Sequence, residues 1–248
     1  MKYKIFFTIL LFLFSLFYLY KGVSFIREND HLMQEIKNVQ DKYNQLPTNA
    51  IITKNTMIPG ISGKKINLKQ SYQKMKKINN FNESLLVFEK IKPQKTIANL
   101  YNKILLSGNP NKKQISIILD INNEELFNSL NHILISNNIY ADILSNQNYN
   151  LLNTNYINIL STSYNQFSNY CLTFNLAINK ECTIYHKYTL LGTNINNYHL
   201  SKTKDLVKNG IILVYSFNEN NYNELNVIIK YLKNNQYKIV TIDKLITE

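Results

Sequence analysis

Asp120 ends the apolar run Ile115-Ser116-Ile117-Ile118-Leu119 and is followed by Ile121 and Asn122. A carboxylate that closes an apolar run is a group able to carry a proton or bind a cation. No second acid stands beside it. The four histidines, His31, His132, His186 and His199, are the other groups that could bind a metal or carry a proton. His186 and His199 lack the one-turn spacing that places two ligands on one helix face. His31 follows the N-terminal apolar run, and His132 sits within a helical pattern. Each histidine reads as a surface or structural residue, while a metal set of Asp120, His186 and His199 stays open. Cys171 and Cys182 are the remaining reactive pair. Their spacing fits neither a redox CxxC motif nor a four-ligand zinc site.

Composition narrows the classes. The 248 residues are 45% hydrophobic, which allows a sizeable core, and carry a net charge of +12. A nucleic-acid surface usually gathers Lys and Arg on one face. Here Arg27 is the single arginine, and Lys64-Lys65, Lys76-Lys77 and Lys112-Lys113 are scattered doublets. The charge therefore points to an anionic wall or lipid and away from nucleic acid.

The elements that must position these groups start with an anchor. Lys2 and Lys4 precede an apolar segment over residues 5–26, interrupted by Lys21, which can snorkel to the interface beside Tyr18 and Tyr20. That length suffices for one transmembrane helix. Small residues at Gly22-Val23-Ser24 leave a cleaved signal peptide as the alternative. Either way the body of the protein is expected outside the cytoplasm; with the anchor kept, it is a single-pass membrane protein whose C-terminal domain is extracytoplasmic. In that oxidising setting Cys171 and Cys182 are expected to form a disulfide.

Residues 1–26 are thus read as the anchor. Over 27–50, Leu32, Ile36, Val39, Tyr43 and Leu46 recur at heptad spacing, which predicts a stalk helix able to self-associate, ended by Pro47. Residues 51–112 read as an extension packed on the following domain, with a short helix over 68–78 and a buried strand over 85–88. From 113 to 248 strands alternate with helices. Ile115–Leu119, Ala141–Leu144, Tyr156–Leu160, Ile211–Tyr215 and Lys238–Thr241 read as strands. Glu124–Ser136 and the stripe Leu225, Ile228, Ile229, Leu232 read as helices. The alternation argues for an α/β fold with parallel strands and right-handed crossovers.

The closing segment carries a resemblance. Val207-Lys-Asn-Gly-Ile-Ile-Leu, then Glu224-Leu225 with Ile228 to Lys233, then Tyr237-Lys-Ile-Val-Thr-Ile-Asp-Lys-Leu245, resembles the final strand-helix-strand of the polysaccharide deacetylase (NodB-homology) family. Gln236-Tyr237 stands where that family has Gly-Tyr. The segments Ile58-Pro-Gly-Ile-Ser-Gly-Lys, Ser71-Tyr-Gln-Lys-Met-Lys and Gly108-Asn109 are similar to the upstream region of membrane-anchored members, so the likeness spans about residues 55–248.

The resemblance implies a distorted, shortened (β/α) barrel, preceded here by one transmembrane helix and a stalk helix. It also implies metal-dependent removal of acetyl groups from amino sugars. That chemistry uses one Asp as general base, an Asp-His-His set on a divalent metal, and a further His as acid. Asp120 matches the base, Ile121 stands at the metal-binding Asp, and Thr162 stands at a metal His within Leu160-Ser-Thr-Ser-Tyr164. Neither replacement is a ligand for a borderline metal. Asp120 is then a vestigial base, with no metal site and no cofactor. The expected function is a catalytically degenerate deacetylase-like protein that binds cell-wall glycan or another envelope protein. The alternatives are an active de-N-acetylase that needs a divalent metal at an unrecognised site, and an assembly protein with no glycan ligand.

Overall fold

The computed structural model describes residues 2–121, 125–144, 157–160, 169–178, 180–195 and 200–248. In chain order the elements are α1 (Lys2–Glu28), α2 (His31–Asn38), α3 (Gln40–Tyr43), β1 (Ile51–Ile52), β2 (Thr56–Ile58), β3 (Gly63–Ile66), α4 (Leu68–Lys76), β4 (Phe88–Ile91) and β5 (Ile104–Leu105). There follow β6 (Gln114–Ile121), α5 (Glu125–Asn137), β7 (Ala141–Leu144), β8 (Ile157–Leu160), β9 (Tyr170–Thr173), α6 (Lys180–Ile184) and β10 (Tyr188–Leu191). The chain ends with β11 (Thr193–Asn194), α7 (Leu200–Leu206), β12 (Ile212–Phe217), α8 (Tyr222–Asn234), β13 (Lys238–Ile239) and α9 (Ile242–Ile246). These fall into two compact units, Met1–Pro47 with Ser62–Lys92, and Thr48–Ile61 with Pro93–Glu248.

In the first unit, α1 has 27 residues, which at about 1.5 Å per residue span roughly 40 Å. Its segment Ile9–Glu28 is long and apolar enough to cross a membrane, a property that export signals share. The heptad-spaced residues that follow do not form one helix through residue 50. Asp30 caps α2, its carboxylate accepting from the Leu32 N–H at 2.9 Å. The helix then breaks at Val39, and α3 ends at Tyr43. Leu32 and Ile36 are buried with Ile66, Met75 and Leu86 of the same unit. The stripe is covered by α4 and the antiparallel pair β3–β4, so it has an intramolecular partner. Lys76 and the Tyr72 hydroxyl also bond Asp30, at 2.8 and 2.9 Å, and hold its carboxyl below the usual range. The strand expected over 85–88 differs too. Glu83–Leu85 form a 3-10 turn, and pairing begins at Phe88.

The second unit is built on β6. Its order of neighbours is β11-β12-β6-β7-β8, all parallel, with β13 also pairing parallel to the start of β6. A second sheet runs β1-β2-β5-β10-β9, parallel except for β1–β2. The chain passes between the sheets three times, from β5 to β6, from β8 to β9, and from β10 through Gly192 to β11. The alternation of a strand decides which layer each β6 residue joins. Ile115, Ile117, Leu119 and Ile121 pack on the outer layer with Leu126, Leu130, Ile133 and Leu134 of α5 and Leu225, Ile228, Ile229 and Leu232 of α8. Ile118 turns the other way, into an inner core shared with Met57, Leu105, Leu190, Ile212, Val214 and Ile242. This is the barrel interior, and it is filled with apolar side chains. Burying each such Leu or Ile is worth about 2 kcal/mol.

Turn residues fix the ends. Asn138 (φ 48) terminates α5 and Gln236 (φ 63) follows α8, both in the left-handed region. Gln236 holds the position where the resembled family has Gly, the residue that meets this conformation at least cost.

Candidate functional site

β6 places Asp120 near its C-terminal end, between Ser216 of β12 and Leu144 of β7 in the register of the sheet. The carboxyl is half-buried. Burial raises its pKa above the ordinary value of 3.8, partly offset by a hydrogen bond from the Ser216 side chain. The group next to the candidate base is therefore an alcohol, which neither protonates a leaving amine near neutral pH nor binds a borderline divalent metal well. Ser216 was not singled out in the sequence. It becomes visible when β12 is registered against β6.

Ile121 does not face the same way. It continues the strand, pairs with Phe217 and is buried in the outer core. Its side chain lies on the face of the sheet opposite to Asp120. A carboxylate at this position would enter the apolar layer beneath α5 and α8.

A second buried acid was also missed by the sequence reading. Asp142 of β7 is fully buried, and its Oδ2 accepts from the Ser116 hydroxyl at 2.9 Å and from the Ile242 N–H at 2.8 Å. The second bond ties the sheet to the first turn of α9, where an anion is favourable. The Tyr170 hydroxyl donates to Asp243 of α9. Burial, then this bond, raises the tyrosine pKa. Asp142 and Asp243 thus fasten the closing helix. The signal in the sequence was an aspartate inside the otherwise apolar strand Ala141–Leu144.

The histidines are dispersed. His31 is exposed and sits 3.5 Å from Glu35. His132 is exposed on α5. His186 lies in the turn before β10, with its ring 5.2 Å from that of Tyr101. His199 and Thr162 lie outside the described residues. Among the described residues no three of His, Cys, Asp and Glu are grouped to hold a metal ion.

Cys171 of β9 is disulfide-bonded to Cys182 of α6. A link across 11 positions restricts the unfolded chain by about 3 kcal/mol in the loop-entropy description. Replacing both cysteines by alanine is expected to lower unfolding stability by that order, read by urea titration. An unchanged midpoint would contradict it.

The raised pKa of Asp120 has a testable sign. In the folded state the carboxyl keeps its proton to higher pH than in the unfolded chain. Its favourable contribution is therefore present below the unfolded pKa and lost as pH rises through the raised folded value. At pH 7 Asp120→Asn is expected to raise the melting temperature, and the gain should fade on titration toward pH 4. A lower melting temperature at pH 7 would contradict the assignment.

No family model matches the sequence. Over 100 residues the chain is 33% identical to the uncharacterized protein YlxY of Bacillus subtilis (strain 168), a match covering 40% of this chain and 31% of that one. The chain thus spans about a third of the curated relative it matches. Among solved structures it superposes on BA3943 of Bacillus anthracis, described as a CE4 family pseudoenzyme, with a TM-score of 0.64 at 18% identity. That alignment covers 89% of this chain and 96% of BA3943. The fold is that of a family 4 carbohydrate esterase. A BA3943 mutant described as having restored enzymatic activity aligns equally well, with a TM-score of 0.64 at 19% identity over 88% of this chain and 99% of that one. The distorted barrel expected from the closing motifs is therefore present, as two mainly parallel sheets.

The esterase fold implies a divalent metal beside the base, and the described residues around Asp120 do not form a ligand set for one. The partner of Asp120 is Ser216, its chain neighbour faces the opposite layer, and Asp142 is engaged by two donors.

Proposed function

We propose that this chain is a catalytically silent protein of carbohydrate esterase fold, held at the membrane by α1, whose outward-facing domain binds cell-wall glycan. The silent half of the reading is carried by the register of β6. Asp120 meets Ser216 while Ile121 is buried on the opposite face. Among the described residues Asp120 has neither a metal-ligand set nor an acid beside it, the two groups that make amide hydrolysis fast. BA3943, with the same fold, is described as a pseudoenzyme whose mutant regains activity, which is in keeping with a fold that outlasts its chemistry. The glycan half is supported by the fold and by a net charge of +12 suited to an anionic envelope. The apolar N-terminal helix supports the membrane placement.

The test is sedimentation of the full chain, in detergent, with purified cell wall. Acetate is assayed in the same tubes with added zinc, cobalt or nickel. Binding that survives protease treatment of the wall, with no acetate above the buffer blank, is expected. Absence of binding would overturn the glycan reading. Loss of binding on protease treatment would replace glycan with an envelope protein. Acetate release that requires Asp120 would overturn the silent reading.

A further inference from the structure

The turn regions before β5 and β10 form a shallow groove lined by Asn99, Leu100, Tyr101, Asn102, Thr183 and His186. Its position in the barrel follows from the topology. Tyr101 precedes β5 and His186 precedes β10, so both lie at strand N-terminal ends. β10 leads directly into β11, which is parallel to β12 and through it to β6. Asp120 lies at the opposite, C-terminal end of β6. The groove and the vestigial base therefore occupy opposite rims of the barrel.

The groove is a built feature. The Tyr101 ring lies 5.2 Å from His186 and 4.8 Å from Tyr188, and Tyr188 lies 6.4 Å from the buried Tyr170. A run of rings thus leads from the inner core to the exposed imidazole. The Tyr101 hydroxyl donates to Asn99 Oδ1 at 3.3 Å, the Asn99 N–H donates to the Tyr188 hydroxyl at 3.2 Å, and Thr183 Oγ1 donates to the Tyr101 carbonyl at 3.3 Å. Asn99 and His186 both adopt left-handed backbone, at φ 63 and φ 53. Asn and His are residue types that enter this region readily, and the conformation shapes the two turns that border the groove. The Cys171–Cys182 link fastens α6, which carries Thr183, to β9.

The lining selects a ligand class. In a chain of net charge +12, none of these six residues is Lys, Arg, Asp or Glu. None of the six lining side chains offers a phosphate a fixed cation or a cationic peptide an acid. What the groove offers is a tyrosine ring for a flat apolar face, two amides, a hydroxyl and an imidazole. A pyranose ring presents the complement, with a C–H face for the aromatic ring and hydroxyl or acetamido groups for the amides. We infer that this groove is a sugar subsite for a neutral amino-sugar polymer, at the opposite end of the barrel from Asp120. The inference rests on the glycan-binding reading above and gives it a location.

The probe is the N-acetylglucosamine tetramer, titrated into the full chain in detergent by calorimetry, with the imidazole C–H signals followed by NMR. Saturable binding with a shift of the His186 signals is expected. Tyr101→Ala should weaken binding by about tenfold, the scale of losing one aromatic contact. His186→Asn, which tolerates the left-handed backbone, should weaken it measurably while leaving the melting temperature within a degree or so of the parent. Binding by the parent with no His186 shift and no loss in His186→Asn would overturn the groove and leave glycan binding standing. No binding by the parent to either tetramer or purified wall would overturn both.

Discussion

Ile121→Asp is expected to cripple folding without creating a metal site. The position is where the resembled family carries a metal-binding aspartate, so on sequence grounds the substitution looks like a repair. In the structure Ile121 is 3% exposed and packed in the outer core. Replacing it forfeits about 2 kcal/mol of apolar burial. An ionised carboxylate without a cation or a full set of donors adds several more, or the group stays protonated at a comparable cost. A loss on the order of 4 kcal/mol or more is a large share of the 5–15 kcal/mol that holds an ordinary domain together. Urea denaturation and zinc calorimetry on the same sample check this. A soluble, stable Ile121→Asp protein binding one zinc would show that the chain bends at this residue toward Asp120, contrary to the register described above.

Gly210→Ala is expected to be of similar severity for a backbone reason. Gly210 has φ +84, and a Cβ built there would stand 2.4 Å from the Gly108 carbonyl oxygen and 2.9 Å from its carbon. The two glycines are joined by a hydrogen bond from Gly108 N–H to Gly210 O at 2.8 Å, and Gly210 N–H bonds Gln114 O at 2.7 Å. This contact sets the level at which β12 enters beside β6, and hence the partner that Asp120 meets. The left-handed conformation costs alanine about 1–2 kcal/mol, and pushing the two backbones apart adds about 1–3 kcal/mol. Gly108→Ala should be milder, because Gly108 is not in the left-handed region and its nearest contact is the Leu245 side chain at 2.7 Å, not backbone. Equal stabilities of the two variants in urea would contradict the close backbone contact at Gly210.

Much of the second unit is legible in the sequence because its signals are local. β7 follows Ala141–Leu144, α5 runs Glu125–Asn137 against an expectation of 124–136, and α8 contains the stripe Leu225, Ile228, Ile229, Leu232. Apolar periodicity is strong there and does not depend on distant partners. The stalk was not legible for the complementary reason. Leu32 and Ile36 carry a heptad pattern that a second helix or a self-made core satisfies equally well, and the residues that cover them, Ile66, Met75 and Leu86, come from a separate stretch of chain. At the site, Asp120 could be found as a strand-end acid, but its surroundings could not. Ser216 is brought beside it only by strand register. The orientation of Ile121 turns on whether β6 continues one residue past Asp120, and one residue reverses the face. The roles of Asp142 and Asp243 depend on α9 folding back over the sheet. Tyr101 and His186 meet through two turns far apart in sequence.

On the reading proposed above, Asp120 is a carboxylate kept in a carbohydrate esterase fold without a metal beside it. The direct test is a zinc titration of the full chain by calorimetry at neutral pH, with Asp120→Asn alongside. The account predicts no saturable one-to-one binding in either protein. One zinc per chain, bound by the parent and lost in Asp120→Asn, would contradict it.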